Sequence, residues 1–203
     1  LRRFFGNVGS TGQQEGIQYG EPFTRVYDNN KDYGIDGALQ VSAVWAAVEL
    51  LTDNIASLPL FVYKRANDKQ GNKTLARDTQ LWTLLHENPN RRHTPMEFWQ
   101  FSTMNYLLRG NAYARLIRNE KGEVIEMIPL AADQMEIEVL PDRSLVYKYS
   151  YEGAVVSYGE SSIWHWRDKG NGVIGMSRID YMRNSVGVAI DAQNHNANVF
   201  RKS

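Results

Sequence analysis

The chain has 203 residues, 42% hydrophobic and 23% charged, with 5 Trp, 11 Tyr and 7 Phe, so it can bury a sizeable core and is not disordered as a whole. The absence of cysteine excludes disulfide scaffolds, Cys-ligated zinc, iron–sulfur clusters and Cys nucleophiles, and fits a reducing compartment. Twenty-three basic residues balance 23 acidic ones, which excludes an overall positive field clinging to nucleic acid and leaves any DNA contact local.

The longest apolar run, Val41 to Tyr63, is broken by Glu49, Asp53, Asn54 and Pro59 and is too polar for the roughly 20 apolar residues of a membrane span. Arg2 and Arg3 are not followed by the apolar stretch of about 7–15 residues that a secretory signal needs. The start at Leu1 and a helical pattern that stops abruptly at Lys202-Ser203 lead us to expect a piece of a longer protein.

Residues 1–37 hold seven of the 16 glycines without helical or strand periodicity and read as an extended N-terminal arm. Ser42 then reads as the N-cap of a helix whose stripe is Val44, Val48, Leu51, Ile55 and Leu58, ended by Pro59. Leu60 to Tyr63 predicts a strand, and Lys64 to Lys73 a turn. A short helix through Leu81, Leu84 and Leu85 stops at Asn88-Pro89-Asn90. Thr94-Pro95-Met96-Glu97 is a capping box opening a helix with the stripe Phe98, Phe101, Met104 and Leu108, and Gly110 is placed to close it in the αL conformation.

Period-two patterns follow: Ala112 to Arg118 and Val124 to Ile128 about a turn at Glu120-Lys121-Gly122, then Met135 to Leu140, Leu145 to Tyr151, Ala154 to Tyr158 and Ile163 to Arg167. Helices first and an antiparallel meander second predict an α+β fold. The glycine-rich loop Gly170 to Gly175 feeds a last helix capped by Ser177, with the apolar face Ile179, Met182, Val186, Ile190, Ala197 and Phe200 over about 26 residues, or about 39 Å. Its second half, Gln193 to Asn198, is poor in strong helix formers, so the expectation is that neighbouring subunits support it. The chain divides into the arm (1–37), an α+β domain (38–170) and the loop with the long helix (171–203).

Gly170-Asn171-Gly172-Val173-Ile174-Gly175 matches the dinucleotide fingerprint G-x-G-x-x-G, but it follows an antiparallel meander and no second strand with an acidic residue comes after it. A linker turn is the better reading. There is no phosphate loop, zinc helix or nucleophile elbow. His86 and His93 flank a loop without carboxylates at ligand spacing, and His165 between Trp164 and Trp166 reads as a satisfied strand residue. Glu136 and Glu138 read as a solvated sheet face rather than a glycosidase pair, and Arg91-Arg92-His93 as an exposed loop rather than a phosphate site. Trp45, Trp82, Phe98, Trp99 and Phe101 are expected in the core and not as a stacking surface for bases. The residues point to no catalytic group, cofactor or metal.

Three segments together resemble the HK97-like portal protein family of tailed bacteriophages. They are Val41 to Leu51 continuing through Ile55-Ala56-Ser57-Leu58-Pro59-Leu60; His86-Glu87-Asn88-Pro89-Asn90 with Thr94 to Phe98 and Gly110-Asn111-Ala112-Tyr113-Ala114; and Ile163-Trp164-His165-Trp166 with Gly175-Met176-Ser177-Arg178-Ile179. Arg178 departs from the proline usual after the Ser. The resemblance implies a structural, non-enzymatic subunit in a ring of about twelve at one capsid vertex, closed by a head-to-tail interface. It further implies a channel for double-stranded DNA, a separate terminase motor, contacts to the major capsid or scaffold protein and to a head–tail adaptor, and assembly in the host cytoplasm into the virion. Val41 to Arg167 would form the wing and Ser177 to Lys202 the first stem helix, with the clip, second stem helix and crown beyond. Asn194, Asn196, Asn198, Arg201 and Lys202 become candidates for the channel or the subunit interface. A nearly uncharged helix suits a channel that must not grip its DNA. The competing readings are a nucleotide-binding enzyme using Gly170 to Gly175 and an adaptor-type interaction module.

Overall fold

The computed structural model describes residues 17–19, 35–39, 41–65, 72–182, 185, 187–192 and 195. In chain order these form β1 (Ile17–Tyr19), α1 (Ile35–Leu39), α2 (Ser42–Ala56), β2 (Tyr63–Arg65), β3 (Lys73–Leu75), α3 (Gln80–His86) and α4 (Pro95–Arg109). Then come β4 (Asn111–Arg118), β5 (Val124–Leu130), β6 (Met135–Val139), β7 (Leu145–Tyr151), β8 (Ala154–Gly159), β9 (Ile163–Arg167) and the helix start α5 (Arg178–Tyr181). The fold is α+β. All strand pairs are antiparallel, but the expected meander is split into two sheets of order β1-β6-β7-β8 and β5-β4-β9, beside the hairpin β2-β3. The split arises because a 3₁₀ turn at Ala132–Gln134 carries the chain off β5, and β9 returns to pair with β4.

Two pieces lie inside or across the segment read as an arm. Ile17–Tyr19 pairs with Val139–Ile137 as an edge strand, and α1 starts at Ile35 and buries Ala38 completely. A three-residue strand and a five-residue helix are too short to leave a periodic trace. The turn expected over Lys64 to Lys73 is instead the end of a hairpin, with Tyr63, Lys64 and Arg65 opposite Leu75, Thr74 and Lys73. The strand expected at Leu60 to Tyr63 therefore begins only at Tyr63.

Cap geometry explains the helix boundaries. Ser42 is the first helical residue of α2, not its cap; Val41 takes that position, because its carbonyl already accepts Val44 N and Trp45 N while its own N–H donates to Ala38 O. Burying Val41 against α1 decides the start. The buried face of α2 is Val48, Thr52 and Ala56, one i, i+4 row, whereas Leu51, Ile55 and Leu58 from the expected stripe are exposed. The capping box of α4 forms as expected: Glu97 N donates to Thr94 Oγ1 at 3.3 Å and Thr94 N to Glu97 Oε2 at 2.8 Å. The Thr94 N–H and, second to it, the Thr94 hydroxyl, which donates to Glu97 Oε2 at 2.9 Å, hold the Glu97 carboxyl below its ordinary pKa. Phe101 of the expected stripe is exposed, and Ser102 and Thr103 are buried in its place. Trp45 is likewise exposed rather than in the core.

Three apolar clusters position the rest. Tyr113, Ile137, Tyr147 and Ile163 fill the space between the two sheets, together with Ile174 from the glycine loop. Leu84 and Phe98 pack α3 and α4 onto Ala114 and Met127 of β4 and β5. Ile179 joins Ala38, Val41, Val48 and Leu108, with Ala189 and Ile190 against the same cluster. Residues 185, 187–192 and 195 are helical. Ile179, Ala189 and Ile190 meet α1, α2 and α4 of their own chain, so the first half of the expected helix is held within the subunit and not by neighbours alone; the second half, Gln193 to Asn198, for which support by neighbouring subunits was expected, lies outside the described residues except for residue 195. Tyr181, Met182 and Val188 point outward, at 68%, 54% and 71% exposure, so Met182 does not belong to the buried face expected for it.

Truncating Phe98, which has no exposed surface, is expected to cost about 3–5 kcal/mol in Phe98→Ala. Thr94→Ala, which removes only the cap of α4, is expected to cost about 1 kcal/mol. Urea unfolding followed by circular dichroism measures both.

Candidate functional site: the junction ahead of the C-terminal helix

The chain passes from the sheets to the C-terminal helix through residues 168–177, and a single buried side chain organises that passage. Asn111, the first residue of β4, accepts Gly175 N on Oδ1 at 2.7 Å and donates from Nδ2 to Gly175 O at 3.0 Å. The side-chain amide thus matches both backbone polar groups of Gly175, as a neighbouring strand would. Nδ2 also donates to Arg109 O at 3.0 Å. Gly110, the αL cap of α4 at φ 71°, brings α4 directly against the loop: a Cβ there would overlap the Met176 carbonyl, and one on Gly175 would overlap Gly110 O.

The same amide oxygen fixes His165. Asn111 Oδ1 is an acceptor towards Gly175, so His165 Nε2, at 3.0 Å from it, carries the proton and donates, and Nδ1 is left to accept Tyr147 Oη–H at 3.4 Å. His165 faces Tyr113 at 4.4 Å between centroids, on the side of β9 opposite Trp164 and Trp166. Burial, and secondarily the charge of Arg167, lower its pKa to about 3, so the ring is neutral. Burial likewise pushes the Tyr147 hydroxyl up.

On the outer side of the loop, Asp168 Oδ2 accepts Arg178 Nε at 2.6 Å and Oδ1 accepts Lys169 N at 2.8 Å, while Asp168 N donates to Gly110 O at 2.8 Å. The Arg178 hydrogen bond is the main reason the Asp168 carboxyl lies below its ordinary range, with a smaller contribution from a bond to Tyr106. The Arg178 guanidinium sits 5.7 Å above the Tyr106 ring, and Tyr106 stacks on Trp166 at 4.4 Å. Ser177 directly precedes α5 and donates its hydroxyl to Leu108 O at 2.6 Å, tying the helix start to α4.

This geometry gives the glycine loop no phosphate cradle. Asn171 Oδ1 accepts Val173 N and Ile174 N at 2.9 Å each, Gly175 N is taken by Asn111, and Met176 N donates to Lys169 O. The amides of residues 173–176 are thereby engaged within the chain and do not face a pyrophosphate. His86 stacks on Trp82 at 3.8 Å and His93 Nδ1 lies 3.0 Å from Asn90 Oδ1, so the structure occupies them separately. Glu138 pairs with Lys148 at 3.0 Å, on the same strand face as Glu136, and Arg91 pairs with Glu126 at 3.2 Å. Asn90 stitches its loop to β5 by donating to Met127 O at 2.8 Å while Pro89 O accepts Met127 N. A cleft of about 250 Å³ between α3, α4 and the β5-β4-β9 sheet is lined by apolar side chains such as Leu84, Trp99, Met127 and Trp164 and holds no acid–base pair. Asn194, Asn196, Asn198, Arg201 and Lys202 lie outside the described residues. Asn111 is the residue that reading the sequence for chemistry missed; a Gly-Asn pair between a helix end and a strand start was the available signal.

Residues 42–203 match the family model for phage portal proteins. The chain belongs to that family. This portal chain is 29% identical over 187 residues to the portal protein of Enterobacteria phage HK97, covering 92% of its own length and 44% of the relative. It is 27% identical over 177 residues to the probable portal protein of Streptomyces phage phiC31, covering 80% of itself and 37% of that protein. Its fold is similar to a chain in the neck of a native gene transfer agent particle computed with C12 symmetry, with a TM-score of 0.69, 17% identity and coverage of 95% and 48%. It is also similar to an HK97-family phage portal protein from Corynebacterium diphtheriae, with a TM-score of 0.52, 19% identity and coverage of 82% and 48%. The chain spans less than half the length of these relatives. The portal-like segments quoted from the sequence, Gly110-Asn111-Ala112-Tyr113, Ile163 to Trp166 and Gly175 to Ile179, are the three that meet at the junction.

Two outcomes test the junction. Gly110→Ala is expected to destabilise the chain by about 2–4 kcal/mol in urea unfolding, because it adds a positive-φ penalty to an overlap with Met176 backbone. His165 binds its proton in the unfolded chain near pH 6.5 but in the folded one only near 3, so the unfolded state holds more protons across that window. Stability should therefore be complete above pH 6.5 and fall on acidification by up to about 1.4 kcal/mol per pH unit. His165→Gln should flatten the slope between pH 6.5 and about 5.5, above the range where the carboxylates contribute.

Proposed function

We propose that this chain is the wing and the beginning of the stem of a portal subunit, and that the complete protein forms a ring at one capsid vertex. What carries the reading is the family match over residues 42–203 together with the likeness to a neck chain in a particle with C12 symmetry. On this reading residues 38–170 are the outer wing, residues 171–203 lead into the stem helix, and the ring has about twelve subunits. Its work is structural: it encloses the path of double-stranded DNA during packaging and ejection while a separate terminase motor supplies the energy. Capsid or scaffold protein and a head–tail adaptor bind its outside, in the virion and during assembly in the host cytoplasm.

The surface supports such a role. Trp45, Leu50, Leu51, Leu58, Leu60 and Phe61 are exposed apolar side chains along and just after α2, available to a partner. Tyr181, Met182 and Val188 do the same on the outward side of the C-terminal helix, where a neighbouring subunit would stand. Balanced charge keeps the subunit from gripping DNA, since each neutralised phosphate adds salt-sensitive affinity. Within this frame Asn194, Asn196, Asn198, Arg201 and Lys202 are the candidates for the channel or the interface, and Ser177 for the cap of the stem helix.

The complete protein should appear as closed rings by electron microscopy, with a mass by light scattering of about twelve subunits. A protein that stays monomeric at micromolar concentration in both measurements would refute the assignment.

A further inference from the structure

We propose that Arg178 and Asp168 form a latch that fixes the direction in which the C-terminal helix leaves the wing, making Arg178 a positioning residue for ring closure; the second half of this inference rests on the portal reading. The two residues sit at opposite ends of the glycine loop, ten positions apart, and their 2.6 Å bond closes it into a ring of backbone. Arg178 is the first residue of α5, so whatever holds its side chain holds the helix start.

The latch is anchored on the wing at several points. Asp168 N bonds to Gly110 O at the end of α4, its Oδ1 accepts Lys169 N, and its side chain keeps only 10% of its surface exposed. Tyr106 of α4 lies under the Arg178 guanidinium and is itself stacked on Trp166 of β9. A surface ion pair between two mobile side chains does little. Here the acid is nearly enclosed, while the half-exposed base lies over the Tyr106 ring, so loss of Arg178 leaves an enclosed carboxylate without its charged partner.

Position 178 matters because it is where the portal-like pattern places a proline, which would preset φ at the first helical residue. This chain has no such constraint, and the loop before it contains three glycines, each a source of backbone freedom. Asn111 secures Gly175 but lies before Met176, Ser177 and Arg178. Met176 N bonds to Lys169 O and the Ser177 hydroxyl to Leu108 O, and the ion pair adds the restraint on Arg178 itself. In a ring closed by one repeated interface, subunit number follows from the rotation between neighbours, and rings of twelve and thirteen differ by only about 2°. A loose helix start would spread that angle.

The test uses the full-length protein with Arg178→Ala, Asp168→Asn, the double variant and Arg178→Lys. Hydrogen exchange of residues 169–178 should quicken by about tenfold in either single substitution, the double should be no faster than either alone, and Arg178→Lys should recover part of the protection. Amides of β6 and β7 should keep their rates, which separates latch opening from failure to fold; where Arg178→Ala does lose them, Asp168→Asn and Arg178→Lys decide. Native mass spectrometry should show one ring order in the wild type and several in the single variants. Unchanged exchange in the singles, or multiplied effects in the double, overturns the latch. Faster exchange with an undisturbed ring order overturns its part in ring closure. Absence of rings from the wild type refutes the portal reading itself and leaves the latch to be judged on exchange alone.

Discussion

Asn111 holds Gly175 by both of its backbone polar groups, and the arrangement of the chain follows from that pair of bonds. A loop running between two sheets and a helix must satisfy its buried N–H and C=O groups without a strand beside it. One side-chain amide supplies both partners, because it carries a donor and an acceptor a fixed distance apart. Met176 then stands against Gly110, and Ile174 is placed in the cluster between the sheets. Ser177 reaches Leu108, and Ile179 enters the helical cluster. None of these contacts survives a different path for Gly175.

The junction is polar at its centre but carries no net charge there. His165, neutral because burial disfavours its protonated form, donates to Asn111 and accepts from Tyr147, which links the two sheets through side chains alone. The charged pair, Asp168 and Arg178, is displaced to the rim, where water reaches the guanidinium but hardly the carboxylate. This division keeps the desolvation penalty of full charges out of the interior and leaves the strong bond where the helix begins.

On the ring reading proposed above, rigidity at this junction would be the functional property. A ring multiplies any error in the angle between its parts by the number of copies, so such a subunit would need the sheets and the helix set by geometry that does not drift. The close backbone approaches at Gly110 and Gly175 serve that need better than side-chain packing, because backbone atoms have no rotamers to exchange. The exposed apolar side chains on α2 and on the outer face of the helix stand apart from the junction.

The α+β order, the capping box at Thr94, the αL role of Gly110 and the strands from β4 to β9 were legible because each is written in local chemistry: a cap, a positive-φ position, a period of two. The resemblance to the portal family was legible in short segments whose meeting in space was not. Sequence could not tell that Leu51, Ile55 and Leu58 would stay exposed while Thr52 and Ser102 were buried, because periodicity marks an apolar stripe without saying which neighbour covers it. Nor could it show that Val41 and not Ser42 would cap α2, or that a three-residue strand near the N-terminus would find the edge of a sheet more than a hundred residues away. Asn111, His165, Asp168, Gly175 and Arg178 form one site only because β4 pairs with β9 and the loop folds back over α4. The sequence by itself determined the longer elements from α3 to β9 and the turns between them, since those depend on interactions within a few residues; the tertiary structure alone decided the short elements and the site, since a hydrogen bond across 64 residues has no local signature.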